Sequence, residues 1–263
     1  MTARAWRRPS PWPLPWMGPL AWAAGLAFLA WNVVGLEVDP ARVARGLSRL
    51  GVVLAKAIPP DFTSRTALLV SGVVESVEIA TLSTVFGIVL GIPVAVLAAR
   101  NVVPLPIYAG GRAAVTLGRT LHELILAIVF VKAVGFGPLA GVLTLTVGAV
   151  ASFAKLLAEQ IETIDRGPIE AIRATGASRV AVLIYGVLPQ VLPRIIGLSI
   201  YQWDVHLRHS TIIGIVGAGG IGATLYNAFA RYDYDLALAI LIVIVAIVLA
   251  GEAVSAVARR AVQ

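Results

Sequence analysis

Long apolar runs with almost no charge constrain this chain more than any other feature. A helix needs about 20 apolar residues to cross a bilayer, and four segments of the sequence reach that length. Backbone groups inside a membrane must be satisfied internally, so such runs fold as helices. Only 13% of the residues are charged, against about 25% in soluble domains. The four runs are Trp16–Leu36, Ile79–Ala99, Ala133–Ala154 and Leu236–Val257.

Two further apolar segments, Arg112–Val134 and Val187–Val216, carry charges within them. Together with the four runs they predict an all-α, polytopic membrane bundle of about six transmembrane helices. The first run is too long for the core of a signal peptide, and we expect it to remain as the first helix. The ionisable residues inside the two segments are Arg119, His122, Glu123, Lys132, Arg194, Asp204, His206, Arg208 and His209.

The placement of arginine and lysine predicts the orientation. Cytoplasmic loops are enriched in both residues, and a cytoplasmic N-terminus puts most of them inside. We expect a multi-pass protein of the cell membrane with both termini in the cytoplasm and a proline-rich cytoplasmic leader over residues 1–15. Nucleic acid is not an expected partner, because the basic residues are scattered between apolar spans. Those assigned inside are Arg4, Arg7, Arg8, Arg100, Arg112, Lys155, Arg166, Arg173, Arg179, Arg259 and Arg260.

Residues 37–65 do not fit the orientation rule, because they carry several basic residues on the periplasmic side. Arg42, Arg45 and Arg49 fall on one face of a helix, and Val43, Leu47, Leu50, Val53 and Leu54 fall on the other. This pattern predicts a periplasmic amphipathic segment lying on the membrane surface. A linker without a fixed structure is the alternative. The remaining residues, 66–263, form the predicted core.

A glycine-rich stretch spells G-x-G-x-x-G from Gly217 to Gly222. This is the pattern of dinucleotide-binding turns, which would make the chain a membrane-bound NAD enzyme. The pattern needs a preceding strand and a parallel sheet, whereas membrane spans flank it here. The glycines, which include Gly219 and Gly220, instead predict close helix packing and an unwound backbone, with a hinge or gate at the outer end of the fifth helix.

The cytoplasmic loop 159–180 contains a helix too short to cross a membrane. Pro168 suits a helix start and Gly176 a helix stop, which predicts a helix from Pro168 to Thr175. Ser178 can cap the next helix, and Pro189 and Pro193 would kink that helix near its entry. A short, rigid helix of this kind suits the cleft of a partner, although a plain connector remains the simpler interpretation.

The same loop resembles the coupling loop of ABC-importer permeases, which reads E-A-A, three residues, G, nine residues, I-x-L-P. Glu170, Ala171 and Gly176 match this motif, as does Leu188-Pro189, while Ile172 and Gly186 depart from it. Pro168 and Arg173 belong to the same expected ATPase-coupling loop. The stretches "RTLHELILAIVFVKAVGFGPLAGVL", "KLLAEQIETIDRGPIEAIRATGAS" and "STIIGIVGAGGIG" look like those of phosphonate ABC-transporter permeases.

This resemblance implies the type I ABC-importer permease fold and a set of partners. They are a second permease chain, identical or paralogous, two cytoplasmic ATPase subunits, a periplasmic substrate-binding protein and membrane lipid. The sequence has no phosphate loop, so this chain is expected to be a transport subunit and not an enzyme. It would hold no cofactor, since ATP and Mg²⁺ would bind to the ATPase. A stand-alone secondary transporter is the competing class.

The implied substrates are phosphonate, phosphite or phosphate, with an amino acid or another small anion as the alternative. The chain has His122 where the family tends to have proline, and it lacks a family histidine in the fourth helix. These departures leave the ligand open, and specificity is expected to lie chiefly in the separate binding protein.

Ionisable groups inside a span usually face protein or water, so they are candidates for the translocation path. Asp204 and Arg208, four residues apart, either form a structural ion pair or present Arg208 to an anionic substrate. The carboxylate of Glu123 is expected to accept a hydrogen bond from Arg119 or Arg208. His209 is a further candidate for the translocation path. His206 and His209 could hold a metal ion together, but no third ligand lies near them in the sequence, so no metal site is expected. Lys155 and Glu159 are expected to pair near the cytoplasmic end.

Overall fold

The computed structural model describes Trp12, Leu14 and residues 16–36 and 39–262, so most of the predicted leader lies outside the described residues. These residues are predominantly helical and contain no strand. In chain order the helices are α1 (Met17–Gly35), α2 (Pro40–Ala57), α3 (Thr66–Leu97), α4 (Leu105–Thr120), α5 (Glu123–Val134), α6 (Pro138–Glu162), α7 (Arg166–Ala174), α8 (Arg179–Val182), α9 (Leu188–Gly214), α10 (Gly220–Ala230) and α11 (Tyr234–Val262).

The chain divides into two compact units, residues up to Ala55 and residues from Lys56 onward. The first unit holds α1 and nearly all of α2. Helix α1 is apolar throughout and buries none of its residues. Helix α2 begins after Asp39, whose carboxylate accepts from the backbone N–H of Ala41 at 2.8 Å and pairs with Arg45 at 3.5 Å. The basic and apolar faces predicted for this segment therefore lie on a formed helix.

The second unit begins with a turn that leads into α3. Asp61 accepts hydrogen bonds from the backbone N–H groups of Thr63 and Ser64, at 3.0 and 2.9 Å. Arg65, the residue before α3, forms an ion pair with Asp233 at 2.8 Å, and the Asp61 N–H donates to the carbonyl of Asp235. The start of α3 is thus tied to the loop between α10 and α11.

Helix α3 lies at the centre of the second unit and packs against α6, α9 and α10. Its contact with α6 depends on two glycines four residues apart. A Cβ at Gly87 would lie 2.3 Å from the Cβ of Ala149, and one at Gly91 would lie 2.9 Å from Cδ1 of Phe153. Small residues at this spacing let two membrane helices approach closely. This G-x-x-x-G pairing was not predicted from the sequence.

The third predicted span, Arg112–Val134, is wrong as a single helix. The structure breaks it at Leu121 and His122, and the helices on either side, α4 and α5, are bent by 85°. Both residues have extended backbone conformations, and the side chain of His122 caps α5 by accepting from the N–H of Leu124. Apolar run length did not reveal the break, because apolar stretches lie on both sides of the polar residues Arg119, His122 and Glu123, which we interpreted as ionisable residues inside one span.

The other span limits shift for two reasons: Glu75 and Glu78 lie inside α3 and do not end it, and two glycines set the start of α6. Helix α3 starts at Thr66, well before the predicted Ile79, and α6 starts at Pro138 after two glycines with positive φ, Gly135 and Gly137. Five helical segments are long and apolar enough to cross a membrane, or six when α4 and α5 count as one broken span. The predicted number of about six is therefore confirmed for the described residues.

The fifth span is longer than predicted, running from Arg179 to Gly214. Ser178 caps its start by accepting from the N–H of Ala181 at 3.3 Å, as expected. A π-helical turn over Leu183–Val187 separates α8 from α9. Pro189 lacks the N–H that would bond the preceding turn, and the wider turn accommodates its ring. The structure thus has a π turn just before Pro189, whereas Pro193 lies inside the continuous helix α9; the predicted kink stays a prediction.

Candidate functional site

The loop that carries the coupling motif folds as the short helix α7. Asp165 caps it by accepting from the N–H of Gly167 at 3.0 Å, and Gly176 ends it with φ +75°. The helix spans Arg166–Ala174, slightly earlier than the predicted Pro168–Thr175. The predicted motif residues of this loop, Pro168, Glu170, Ala171, Arg173 and Gly176, are all solvent-exposed.

The opposite face of α7 packs on the start of the fifth span. Ile169 is buried and Ile172 half-buried. Both lie against Gly186, since a Cβ there would be 3.4 Å from Cδ1 of Ile172 and 3.5 Å from Cα of Ile169. The two positions that depart from the motif, a larger Ile172 and a smaller Gly186, are therefore in contact. A larger residue at position 172 and a smaller one at position 186 keep the total side-chain volume at this contact similar. Protein cores tolerate substitutions that conserve volume in this way.

Gln190 adds a polar connection between the same two elements. Its Oε1 accepts from the N–H of Asp165 at 3.0 Å. Its Nε2 donates to the carbonyls of Gly186, at 2.7 Å, and of Asp165, at 3.2 Å. One side chain of α9 thus satisfies backbone groups at the start of α7 and in the π turn. Sequence reasoning missed Gln190, although it directly follows the motif residues Leu188-Pro189.

A cavity of about 670 Å³ lies beside α7. It is bounded by the turn between α3 and α4, by α7, and by α8 with the π turn. Arg173 and Arg179 contribute positive charge to its lining, and Val102, Ile107 and Leu183 contribute apolar surface. The cavity therefore lies where a movement of α7 would alter the packing of three elements.

The glycine-rich segment lies between α9 and α10 and is unwound, as expected. Gly217, Gly219 and Gly220 have φ values of +91°, +83° and +75°, a region that glycine adopts without steric cost. At Gly222 a Cβ would lie only 1.9 Å from the carbonyl oxygen of Thr211. These two features explain the glycines by backbone geometry and helix packing.

Contacts from two other elements, α3 and the loop between α5 and α6, hold this segment. The hydroxyl of Ser76 accepts from the N–H of Ile221 at 2.9 Å, and the N–H of Gly137 donates to the carbonyl of Gly217 at 3.0 Å. A cavity of about 650 Å³ opens beside the segment, with Glu75 and Asn227 among its lining residues. A role of these glycines as a hinge or gate stays a prediction.

The expected pairing of Asp204 with Arg208 is present. The guanidinium donates to the carboxylate within α9. The Asp204 side chain is buried, whereas 42% of the Arg208 side chain is exposed. The pair therefore neutralises the buried carboxylate and leaves much of the guanidinium accessible. Lys155 and Glu159 also pair, at 3.7 Å.

Glu123 has a different partner from the two that were expected. Its Oε2 lies 2.5 Å from Nδ1 of His209, and neither Arg119 nor Arg208 reaches it. The contact is close but lacks the angles of an aligned hydrogen bond. The α4–α5 break turns Glu123 toward α9, which is why spacing along one helix gave the wrong partner. Arg119, His122, Glu123 and His209 line a cavity of about 340 Å³.

His206 lies near these groups but is fully buried. Its Nδ1 is 2.8 Å from the hydroxyl of Thr84, and its Nε2 is 2.8 Å from Nε2 of Gln202. It therefore joins α9 to α3. Among the described residues, no three His, Asp or Glu side chains cluster in a way that would hold a metal ion.

Comparison with known proteins identifies the family of this chain. Residues 80–263 match the family described as "Binding-protein-dependent transport system inner membrane component". The chain belongs to this family. Its fold also resembles that of a permease in the structure titled "Inward facing conformations of the MetNI methionine ABC transporter: CY5 native crystal form". The TM-score is 0.67 with 28% identity, and the match covers 76% of this chain and 100% of that one.

Two relatives of this permease have names that state a substrate. The chain is 43% identical over 204 residues to the phosphate-import permease protein PhnE of Mycolicibacterium smegmatis, covering 77% of this chain and 38% of that protein. It is 38% identical over 245 residues to the phosphite transport system permease protein PtxC of Stutzerimonas stutzeri, covering 93% and 88%. The chain thus spans well under half of the mycobacterial protein but most of PtxC.

Family membership decides between the classes considered from the sequence. The chain is a multi-pass membrane protein and the permease component of an ABC importer, with the expected permease fold. Neither a stand-alone secondary transporter nor a membrane-bound NAD enzyme fits this family. The G-x-G-x-x-G pattern follows α9. A dinucleotide-binding turn follows a strand of a parallel sheet, and the described residues contain no strand.

Proposed function

We propose that this permease carries phosphorus oxyanions, namely phosphonate, phosphite or phosphate, into the cell. The observation that carries the proposal is the similarity to relatives named for phosphate import and phosphite transport. The solved methionine transporter has lower identity, at 28%. An amino acid is therefore the comparator substrate in the test.

The proposed assembly contains a second permease chain, two cytoplasmic ATPase subunits and a periplasmic substrate-binding protein. Helix α7 supports an ATPase partner, because it exposes the motif residues on one side while Ile169 and Gln190 fix the other side to the bundle. ATP and Mg²⁺ would bind to the ATPase subunits. Only the binding protein is implied by the family description itself.

The fifth span supplies a route from α7 to the membrane interior. It runs without a non-helical break from Arg179 to Gly214, which corresponds to a length of about 54 Å at 1.5 Å per residue. Closure of the ATPases would move α7, and the contacts of Ile172 and Gln190 would pass that movement to α9. Helix α9 carries Arg208 and His209 and ends at the glycine-rich segment.

Arg208 is a proposed contact for the anion on this route, because much of its guanidinium remains accessible beside Asp204. Replacing it with glutamine should lower the ATPase turnover that the anion and binding protein stimulate, while the complex still assembles. Assembly is followed by co-purification of the ATPase subunits. Unchanged transport by Arg208→Gln would contradict this role.

The function is tested by uptake into proteoliposomes that contain the complete complex. Radiolabelled phosphite, methylphosphonate and phosphate are each supplied with the binding protein, with methionine as the comparator. ATP-dependent uptake of at least one phosphorus oxyanion, and none of methionine, is the expected result. Methionine uptake alone would assign the chain to an amino-acid importer.

The orientation is part of the proposal. Both termini are placed in the cytoplasm, and α2 lies on the outer membrane surface with its basic face toward lipid phosphates. Four basic residues on this helix, Arg42, Arg45, Arg49 and Lys56, are exposed. An impermeant thiol reagent applied to intact cells should label a cysteine at Gly46 and spare one at Ala177. The reverse pattern would invert the topology.

A further inference from the structure

The break between α4 and α5 places irregular backbone inside the membrane. Helix α5 has 12 residues, so the break lies about 18 Å from its outer end, within a hydrocarbon core of about 30 Å. Irregular backbone at this depth is tolerated only where it is buried in protein or lines a water-filled cavity. Leu121 and His122 are both exposed and border the 340 Å³ cavity. The cavity is therefore expected to hold water.

The cavity combines apolar walls with a small group of hydrogen-bond donors. Arg119 is exposed and forms no ion pair with any described residue. The Nδ1 of His122 accepts from the N–H of Leu124 at 3.2 Å, so the neutral ring carries its proton on Nε2. A guanidinium and an imidazole N–H are thus available to a ligand. Both are donors suited to an oxyanion.

Among the described residues, Glu123 supplies the only carboxylate in the lining of this cavity. Its Oε2 lies against Nδ1 of His209. Gly148 on α6 leaves room for the carboxylate, since a Cβ there would lie 3.3 Å from Oε1. The carboxylate therefore occupies the position beside His209 that an incoming anion would use. An ionisable group at this depth marks a functional site by default.

We propose that this cavity is an oxyanion-binding subsite on the translocation path, with Arg119, His122 and His209 as donors. Glu123 acts as an internal anion that an arriving phosphorus oxyanion displaces from His209. The volume of about 340 Å³ corresponds to about 11 water molecules at 30 Å³ each, which leaves room for a small tetrahedral anion. This inference rests on the proposed function, because it assumes that the transported solute is such an anion.

The absence of cysteine from the chain allows a direct test. Ile212 lines the cavity and is 47% exposed. In the complete complex in nanodiscs, a water-soluble maleimide should label Ile212→Cys. It should spare Val245→Cys, because Val245 is 58% exposed in the apolar middle of α11, where lipid and not water would cover it. Phosphite or methylphosphonate should slow the labelling, and glycerol at equal concentration should not. Leu121→Cys in the break is the second reporter if Ile212→Cys does not assemble.

Three variants separate anion binding from structure. Arg119→Gln should raise the phosphite concentration that half-protects the cysteine by about tenfold, as expected for loss of one charge-assisted hydrogen bond. Lys132→Gln is the matched control, because it removes a cation from α5 outside this cavity and should change nothing. Glu123→Gln should lower the half-protecting concentration about threefold or more, since it removes the competing charge.

The outcomes distinguish the subsite from the function. Any of three results would overturn the subsite. The reporter cysteines stay unlabelled, phosphite does not slow their labelling, or phosphite protects wild type and Arg119→Gln equally. Uptake of phosphite by the wild-type complex is measured in parallel. Uptake without protection rejects the subsite and leaves the proposed function standing, whereas the absence of oxyanion uptake rejects the function itself.

Discussion

Replacing Gly87 with alanine should force α3 and α6 apart. The new Cβ would lie 2.3 Å from the Cβ of Ala149, whereas ordinary contacts begin at 3.4 Å. The difference, 3.4 minus 2.3, is 1.1 Å. Neither atom can rotate away, because each Cβ is fixed to its helix backbone. The two helices must therefore separate locally by about that distance or distort.

The expected cost follows from two opposing effects. Overpacking of a well-packed interior costs about 1–3 kcal/mol of unfolding free energy. Replacing glycine by alanine in a helix interior gains about 1 kcal/mol. Gly197→Ala in α9 measures that gain alone, because nothing lies within 4 Å of its added Cβ. Gly87→Ala should therefore be less stable than Gly197→Ala by about 1–3 kcal/mol.

A double-mutant cycle tests the cause. Ala149→Gly removes the opposing methyl group, and the Cβ at position 87 would then meet Cα of residue 149 at 3.6 Å, an ordinary contact. The double variant should recover the packing loss, with a coupling energy of about 1–3 kcal/mol. Unfolding is followed by circular dichroism as SDS is added to mixed micelles. If Gly87→Ala and Gly197→Ala unfold together, or if the double variant shows no coupling, the close packing of α3 and α6 is refuted.

Three further predictions follow from local geometry. ATP-coupled uptake should be impaired by Ile172→Ala and by Gly186→Ile. The double variant should recover most of the uptake, because the side-chain volume lost at position 172 is regained at position 186 in the same contact. Losses that simply add in the double variant would contradict this contact. Gly219→Ala should cost at least about 1 kcal/mol in the same micelle titration, since φ is +83° and the new Cβ would lie 2.7 Å from Oε1 of Glu75; wild-type stability would be inconsistent with this backbone. Hydrogen bonds from Ser64 and from the N–H of Thr63 lower the pKa of Asp61 from 3.8 to about 2, so its contribution to stability is present above pH 4 and lost as the pH falls through 2. The stability advantage of wild type over Asp61→Ala should shrink over that range, and a constant difference would reject the assignment.

The coupling loop shows how far local sequence signals reach. Pro168, Gly176 and Ser178 predicted a short helix, its end and the cap of the next helix, and the structure has all three features within two residues. Such signals work because they act on neighbouring backbone groups. The contact between Ile172 and Gly186 was not predicted, because residues fourteen positions apart meet only through the turn that joins α7 to α8.

The charged residues show where local reasoning fails. Asp204 and Arg208 lie on one helix four residues apart, a spacing at which side chains can pair, and the structure has the ion pair that was one of the two alternatives. Glu123 was assigned the wrong partner, because the break before it and the approach of α9 bring His209 within 2.5 Å. Arg119 and His122 were noted in the sequence and lie three residues apart, but only the approach of α9 adds His209 to the same cavity.

The sequence alone determined that this chain is a helical membrane protein with a coupling loop, because apolar run length, helix caps and motif residues act over a few turns of chain. Tertiary structure decided where the third span breaks, which glycines bring α3 against α6, and which charges share a cavity. Those features depend on the distance between helices that are far apart in sequence. That distance is set by the packing around Gly87, Gly91 and Gly148. The spacing of Gly87 and Gly91 marks a face that permits close approach, but it does not specify that α6 is the helix packed there.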